Sequence, residues 1–440
     1  MSTASKAVTL ARDLEAICGA EHVRLDQTTT QSRSIDKVTP QAVVSPATAQ
    51  QIADVLKFAA ERDLVVVPAG NFSRQHIGRT PARIDIVVET TRLNTINYFE
   101  PGDLTIGVQA GAKFTDVLAH VEAKGETLPI DPQSASRTTF GSIVATCASG
   151  PLRFSYGSVR DFCLGVEFAT AGGKVAKAGG RVVKNVAGYD VTKLLVGSYG
   201  TLAIITAANF RVFPRQRQTR TFIADFKNFD DALTARDRIV LGSPLTPLAL
   251  ELISPTASRM TAPQFSQEAW RLALRAGGSD AVLARYRQEL GSMVTSQVEG
   301  AEEAKLWTAI ADFADTLFAR APRTMIVRIT LPQERLRGVV ARAQEVADAK
   351  GFSFSCAGRA VTPIYLAFVP GDRAATYPSL LDELRRAVGP DGVVAVTHCH
   401  SEVKRSIDIW GTSATDTDAM TTVKRTFDPR DILNRGRFLL

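Results

Sequence analysis

Residues able to hold a phosphate group follow a short apolar segment in the first quarter of the chain. The sequence VVVPAGNFSRQHIG, residues 65–78, places a glycine, a serine and an arginine directly after a run of β-branched residues. A strand that ends in such a turn exposes successive backbone N–H groups, and the hydroxyl and guanidinium add further donors. The pattern favours a pyrophosphate loop, although an ordinary polar turn has the same composition. Its candidate ligands are Gly70, Asn71, Phe72, Ser73 and Arg74.

A second candidate segment is rich in small residues. Residues 131–161, DPQSASRTTFGSIVATCASGPLRFSYGSVRD, contain few side chains that would keep a flat ring system or a diphosphate away from the main chain. A tightly packed turn region would show the same composition. The segment therefore predicts either a cofactor contact or close backbone packing.

A third segment, residues 181–214, combines a polar loop, a short helix and an apolar strand. Lys184 and Asn185 supply a cation and an amide, and Gly188 permits a sharp bend. Val191 and Leu194 lie at helical spacing, and Gly197 and Gly200 are expected to end that helix. TLAIITAANFRVFP then predicts a buried strand. An ordinary helix–turn–strand unit without a ligand is the alternative.

The elements that position these segments form a mixed pattern. Between residues 43 and 108, short apolar strands alternate with one helix through Ile52 and Leu56. Residues 111–124 predict a second amphipathic helix, and LGVEFATAGGKV predicts a hairpin that turns at Gly172 and Gly173. Residues 219–400 alternate strands with long helical stretches, which indicates a separate α+β domain.

Taken together with the carboxyl-terminal sequence FDPRDILNRGRF, these segments resemble the flavin-binding domain of the FAD-linked oxidases of the vanillyl-alcohol-oxidase and p-cresol-methylhydroxylase type, in particular the glycolate oxidase and D-lactate dehydrogenase branch. The family's phosphate loop is P-x-G-G-G-[ST], and Asn71 and Phe72 stand where two of its glycines are usual. Ser142 replaces a glycine of the T-[IV]-G-G core, and Arg435 replaces the proline of the terminal L-N-P-G motif.

The resemblance implies an α+β fold with a two-part FAD-binding domain of the p-cresol-methylhydroxylase type and a ferredoxin-like α+β cap. The implied boundaries are 1–38 for an amino-terminal helical segment, 39–216 for the FAD-binding domain (39–108 and 109–216), 217–405 for the cap, and 406–440 for a segment returning to the FAD domain. The cofactor contacts that it implies, beyond the five residues of the loop, are Thr139, Gly141, Ser142, Thr146, Ser149, Gly150, Tyr156, Gly157, Ile204 on the adenine side, and Asn434.

The residues that would act on a substrate are less well defined. Arg328 and Arg359 lie on or beside predicted cap strands and could bind a carboxylate bidentately, or could be surface arginines. The H-G-D-x-N and E-H-G motifs of the family's larger subunits do not occur. Strand alternation would place His398, His400 and Glu402 on one face, which suits a metal ion or a solvated strand equally. We therefore assign neither a metal nor a catalytic base.

The charge, the cysteine content and the absence of certain motifs restrict the other functions that the chain could have. The 440 residues have a net charge of +7, and five scattered cysteines without a C-x-x-C favour a reducing compartment without an iron–sulfur cluster in this chain. No apolar run is long enough to span a bilayer, so we expect a cytoplasmic protein, peripheral to the inner face of the membrane only through partners. Rossmann and G-x-S-x-G motifs are absent, and no nucleic-acid motif accompanies the dispersed basic residues.

The resemblance extends to function. VKRSIDIWG is more similar to the FAD-binding accessory subunit of glycolate oxidase than to the larger subunit. It implies oxidation of a small 2-hydroxy acid together with a second flavoprotein subunit and an iron–sulfur subunit. A self-sufficient D-2-hydroxy-acid dehydrogenase and a non-catalytic flavin-binding scaffold remain the alternatives. His76 in the first loop is either a covalent flavin attachment point, as histidines are in some branches, or an ordinary loop residue.

Overall fold

Helices and strands alternate along the chain, and the computed structural model describes residues 3–182, 189–359, 363–371, 376–411 and 414–438. The helices are α1 Thr3–Cys18, α2 Gln27–Ser32, α3 Ala49–Glu61, α4 Phe114–Glu122, α5 Phe140–Thr146, α6 Arg153–Tyr156, α7 Val159–Phe162, α8 Val191–Leu195, α9 Phe229–Gly242, α10 Pro255–Thr261, α11 Asp280–Leu290, α12 Gly300–Ala311, α13 Phe313–Arg320, α14 Leu336–Lys350, α15 Tyr377–Val388, α16 Ser401–Lys404 and α17 Ala414–Phe427.

The strands are β1 Val23–Arg24, β2 Ala42–Val44, β3 Val66–Ala69, β4 Ile86–Glu89, β5 Ile96–Glu100, β6 Thr105–Gln109, β7 Glu126–Thr127, β8 Cys163–Thr170, β9 Val175–Gly179, β10 Ala203–Arg211, β11 Phe213–Pro214, β12 Thr219–Phe226, β13 Ala249–Ile253, β14 Trp270–Gly277, β15 Ser296–Glu299, β16 Met325–Thr330, β17 Phe352–Arg359, β18 Ile364–Pro370 and β19 Val393–His398.

The chain divides into two compact units. The first comprises residues 1–149, 158–215 and 412–440, and the second comprises residues 150–157 and 216–411. Among the described residues, no helix is long and apolar enough to cross a membrane.

A four-stranded sheet in the first unit carries the loop predicted to bind phosphate. Its order is β1-β2-β4-β3, in which β2, β4 and β3 run parallel. Helix α3 begins after Thr48, whose side chain accepts a hydrogen bond from the Gln51 amide. Ile52, Val55 and Leu56 are fully buried on the apolar face of this helix, in the same core as Val66 and Ile86. The sheet and the packed helix therefore fix the position of the carboxyl-terminal end of β3.

A five-stranded antiparallel sheet forms the rest of the first unit. Its order is β5-β6-β10-β8-β9, so the strand predicted from TLAIITAANFRVFP lies at its centre as β10. The central position explains why the first four residues of β10 are all buried. The predicted hairpin is confirmed between β8 and β9, where Gly173 has a φ of +79°.

The second unit is built on one sheet of eight described strands, in the order β15-β12-β14-β13-β17-β18-β16-β19. Neighbouring strands are antiparallel, and their buried side chains form two apolar clusters with helices such as α9, α11, α12 and α13. The arrangement is that of an α+β domain, as the sequence predicts.

Candidate cofactor-binding site

The predicted phosphate loop follows β3 directly and packs against the small-residue segment. A Cβ atom on Gly70 would lie only 2.1 Å from Oγ1 of Thr139, so only glycine fits there without movement. Phe72 has a φ of +55°, in the left-handed region that a side chain rarely adopts. Ser73 is buried, and its hydroxyl accepts a hydrogen bond from Thr138 at 3.4 Å. The structure thus brings the first two predicted segments together.

Arg74 links the same two segments. Its guanidinium donates to the Gln133 side-chain oxygen at 3.1 Å and to the Gln133 carbonyl at 2.7 Å. These contacts fix the loop that leads from β3, because both acceptors belong to the segment preceding α5. Arg74 therefore holds the two segments together.

The small-residue segment forms a helix, α5, at its centre. A Cβ atom on Gly141 would lie 2.9 Å from the Ala110 Cβ and 3.1 Å from the Ala110 carbonyl oxygen. The hydroxyls of Ser142 and Thr146 donate to the carbonyls of Thr139 and Ser142, each at 2.7 Å. The small residues therefore allow this helix to lie directly on the end of β6.

The remaining predicted cofactor residues are divided between the two units. Ser149 belongs to the first unit, whereas Gly150, Tyr156 and Gly157 belong to the second. Tyr156 ends helix α6, and Gly157 follows with a φ of +80°.

Ile204 lies on β10, and its side chain is part of an apolar core of the first unit. Lys184, Asn185 and Gly188 lie outside the described residues. The elements on either side of them, β9 and α8, are placed by the structure.

Asn434 connects the carboxyl-terminal segment to two of these elements. Its amide N–H donates to the Val66 carbonyl at 2.9 Å, and its side-chain Nδ2 donates to the Tyr199 carbonyl at 2.7 Å. Because a carbonyl only accepts, this contact fixes the orientation of the side-chain amide. Oδ1 of Asn434 is buried and has no hydrogen-bond partner among the described residues.

Arg437 is the last arginine of the carboxyl-terminal sequence FDPRDILNRGRF, and its side chain is buried. Its guanidinium donates to the side-chain and main-chain oxygens of Gln75 and to the carbonyl of Ile77, each at 2.7 Å. Burial lowers the pKa of Arg437 to about 10, so it still carries a positive charge at neutral pH. It fixes the carboxyl-terminal part of the segment 65–78, directly after the five candidate phosphate ligands.

The candidate substrate residues lie in the second unit. Arg328 is half-buried on β16, opposite Tyr365 on one neighbouring strand and Ala395 on the other. Arg359 is the last residue of β17 and pairs with Glu251, and its side chain lies outside the described ones. The structure places both arginines on the same sheet without assigning either a ligand.

The prediction that His398, His400 and Glu402 share one face of a strand is wrong. Strand β19 ends at His398, and His400 instead caps the start of helix α16. His398 is buried, with Nε2 at 2.9 Å from Oδ1 of Asp315, a residue 83 positions earlier in the chain. Because the backbone changes direction after His398, the period of two no longer applies.

The residues in the first unit fit a dinucleotide cofactor such as FAD. The loop after β3, the amino-terminal end of α5 and the turn before β10 come close together, with glycines at the contacts. At the turn before β10, a Cβ atom on Gly200 would lie 2.6 Å from Pro68 and 3.2 Å from Nδ2 of Asn434. Thr139 Oγ1 and Asn434 Oδ1 are buried there and lack partners among the described residues, which a bound polar group would supply.

The fold and this cluster of loops define a flavin-binding type of domain, and comparisons with known proteins agree. Residues 40–179 match the FAD binding domain family, and residues 215–438 match the C-terminal domain of the FAD linked oxidases. Because the second match covers half of the chain, the protein belongs to the FAD-linked oxidases.

Individual relatives and solved structures are also similar to this chain. Glycolate oxidase subunit GlcD of Bacillus subtilis strain 168 is 27% identical over 422 residues, covering 90% of this chain and 88% of the relative. Glycolate oxidase subunit GlcE of Escherichia coli K12 is 39% identical over 153 residues, covering 34% of this chain and 43% of the relative. A structure of p-cresol methylhydroxylase with substrate bound superimposes with a TM-score of 0.75 at 17% identity, covering 98% and 96% of the two chains. The predicted fold and the FAD cofactor are confirmed by these relationships.

Proposed function

We propose that this chain is an FAD-dependent subunit of a glycolate-oxidase-like dehydrogenase, which oxidises a 2-hydroxy acid of the glycolate or D-lactate type. The observation that carries the proposal is its similarity to two differently named subunits of glycolate oxidase, one along nearly the whole chain and the other over a third of it. A chain related to both is expected to work in the same kind of complex.

Within the first unit, we propose that FAD binds to the loop after β3, to the predicted residues of segment 139–149, to Ile204 and to Asn434. When bound, FAD would supply a hydride acceptor for the carbon that bears the substrate hydroxyl and a carrier that releases electrons singly. In this proposal the first unit supplies the FAD domain, and the second supplies the cap with Arg328 and Arg359. A guanidinium in the cap would hold the substrate carboxylate by two hydrogen bonds.

Electron transfer beyond the flavin is expected to need partners. The five cysteines are scattered along the sequence without a C-x-x-C pair, whereas an iron–sulfur cluster needs closely spaced thiolates. The proposed partners are therefore a second flavoprotein subunit and an iron–sulfur subunit.

Reconstitution tests this proposal. Steady-state oxidation of glycolate and of D-lactate should be measured with an artificial acceptor, first for the isolated chain and then with both partner subunits added. Activity that appears only in the complex supports the proposal. Full activity of the chain alone would identify a self-sufficient dehydrogenase, and an active complex in which this chain lacks flavin would identify a scaffold.

A further inference from the structure

The predicted phosphate loop after β3 carries an aromatic residue at a position where the backbone is left-handed. Phe72 has a φ of +55°, which glycine adopts at little cost but a residue with a side chain rarely adopts. In the family's phosphate loop, glycines are usual at this position and at Asn71. A backbone conformation of this kind persists only where the surrounding contacts hold it.

The side chain of Phe72 makes such contacts. Its partly buried ring packs against a small apolar cluster that comprises Ile35, Val43, Val67, Ala69, Ile84 and Val87. The alternate residues of the same strands, Val44, Val66 and Ile86, belong to the core that contains helix α3. Because successive side chains of a strand point to opposite faces, the small cluster lies on the other face of the sheet. The ring therefore ties the loop to the face of the sheet that α3 does not cover.

A cation also contacts the ring. The guanidinium carbon of Arg33 lies 4.9 Å from the centroid of the Phe72 ring, an arrangement in which the aromatic face attracts the cation. Nε of Arg33 donates to Oε1 of Glu89 at 2.6 Å. Glu89 ends β4 directly opposite Ala69, the last residue of β3. The guanidinium therefore links the ring to the strand that lies beside the start of the loop.

We propose that Phe72 is a positioning residue, which together with Arg33 holds the loop in the shape that binds the pyrophosphate of FAD. Because the ring is engaged by the apolar cluster and by Arg33, the residue acts on the cofactor through the main chain, whose N–H groups are the phosphate donors. Packing of a side chain thus stabilises a left-handed conformation that glycine would adopt by itself. The inference rests on the proposed place of FAD in the first unit.

The rate of FAD release from the loaded chain tests the proposal, and flavin fluorescence after dilution measures it. Phe72→Ala and Phe72→Gly should each release FAD about tenfold faster, since both remove the ring. Phe72→Tyr keeps the ring and should release FAD at the original rate. Arg33→Gln removes the cation and should release FAD about threefold faster. Phe99→Ala removes a ring of β5 that contacts His120, and this control should leave the release rate unchanged.

The phosphorus NMR spectrum of the bound cofactor separates an effect on the loop from a general loss of stability. In Phe72→Ala the pyrophosphate resonances should shift, whereas the visible absorption of the flavin ring should stay the same. Gly70→Ala is the reference variant, because its Cβ atom would lie 2.1 Å from Oγ1 of Thr139, so that the loop or Thr139 must move. It should change both the release rate and the resonances.

The variants distinguish failure of this inference from failure of the proposed FAD site. If Gly70→Ala leaves the release rate and the resonances unchanged, the proposed place of FAD is wrong and the inference is wrong with it. If Gly70→Ala changes both and Phe72→Ala changes neither, only the positioning role of Phe72 is overturned. Release from Phe72→Gly at the original rate would overturn it too, since the backbone conformation alone would then suffice. Unchanged release from Arg33→Gln, which keeps the apolar cluster intact, would overturn the role of Arg33.

Discussion

The ammonium of Lys424 lies 2.5 Å from Oδ2 of Asp428, and the two side chains are 11% and 0% exposed. The same ammonium donates to the carbonyls of Thr201 and Leu433 at 3.0 and 2.9 Å. Asp428 in turn accepts hydrogen bonds from the Ile432 and Leu433 amides. One buried ion pair therefore fixes the end of α17, the turn before β10 and the segment that presents Asn434.

Replacing Lys424 should destabilise the first unit and weaken FAD retention. Lys424→Met leaves the Asp428 carboxylate buried without its counter-charge, which costs about 3–5 kcal/mol. Denaturant unfolding, followed by circular dichroism and flavin release, would measure both effects. Arg425→Met, on the exposed side of the same helix, is the control and should change stability by less than ~0.5 kcal/mol. Coincident unfolding curves for the two variants would contradict this role.

Enlarging Gly141 should abolish FAD retention while the second unit stays folded. A side chain there would collide with Ala110, where a Cβ atom would already be at 2.9 Å, and would displace α5 from the end of β6. Flavin content of the purified Gly141→Leu protein is the measurement. Gly102→Leu is the matched control, because a Cβ atom at Gly102 meets nothing within 4 Å. Normal flavin content in soluble Gly141→Leu would show that this segment does not contact FAD.

The flavin should be held without a covalent bond. The site is built from backbone turns, glycines and hydroxyls, which suit reversible binding of FAD. Acid precipitation of the yellow protein should release intact FAD into the supernatant, where chromatography identifies it. A pellet that keeps its flavin, and that loses it in His76→Ala, would instead establish attachment through the loop histidine.

Buried cysteine thiols should react more slowly than the partly exposed one. Burial raises the pKa of Cys163 to about 12 and that of Cys18 to about 11, and it raises the pKa of Cys356 as well. At pH 8 only on the order of one Cys163 side chain in ten thousand is then a thiolate. Iodoacetamide labelling of the native protein, located by mass spectrometry, should modify the partly exposed Cys147 first. Denatured protein should be labelled at all five positions, and equally fast native labelling of Cys163 would contradict the fold around it.

The sequence predicted those elements whose structure is determined by residues close together in the chain. The apolar face of α3 and the hairpin between β8 and β9 were predictable, because a period of 3.6 and a glycine turn each specify one structure. At Gly173, the φ of +79° is the conformation that a glycine adopts at little cost.

Features that depend on tertiary structure could not be predicted in this way. The sequence around Arg437 and Lys424 does not indicate that either cation is buried, because Arg437 donates to Gln75 and Ile77 and Lys424 also donates to Thr201, all of which are far away in the chain. The contact between His398 and Asp315 also joins residues that are far apart in the chain. The prediction that His398, His400 and Glu402 share one strand face failed because the strand ends at His398. The assignments of FAD contacts to individual residues, and the functional domain boundaries, stay predictions until ligand binding is measured.

Anaerobic stopped-flow measurement of flavin absorbance, with glycolate and D-lactate as substrates, tests the central claim most directly. The isolated chain should be reduced slowly or not at all, and the complex with both partner subunits should be reduced rapidly. In the same complex, Gly141→Leu should remove this chain's flavin and lower turnover. Rapid bleaching of the isolated chain that is lost in His398→Ala would contradict the subunit account, and no bleaching of the complex by either acid would contradict the proposed substrate class.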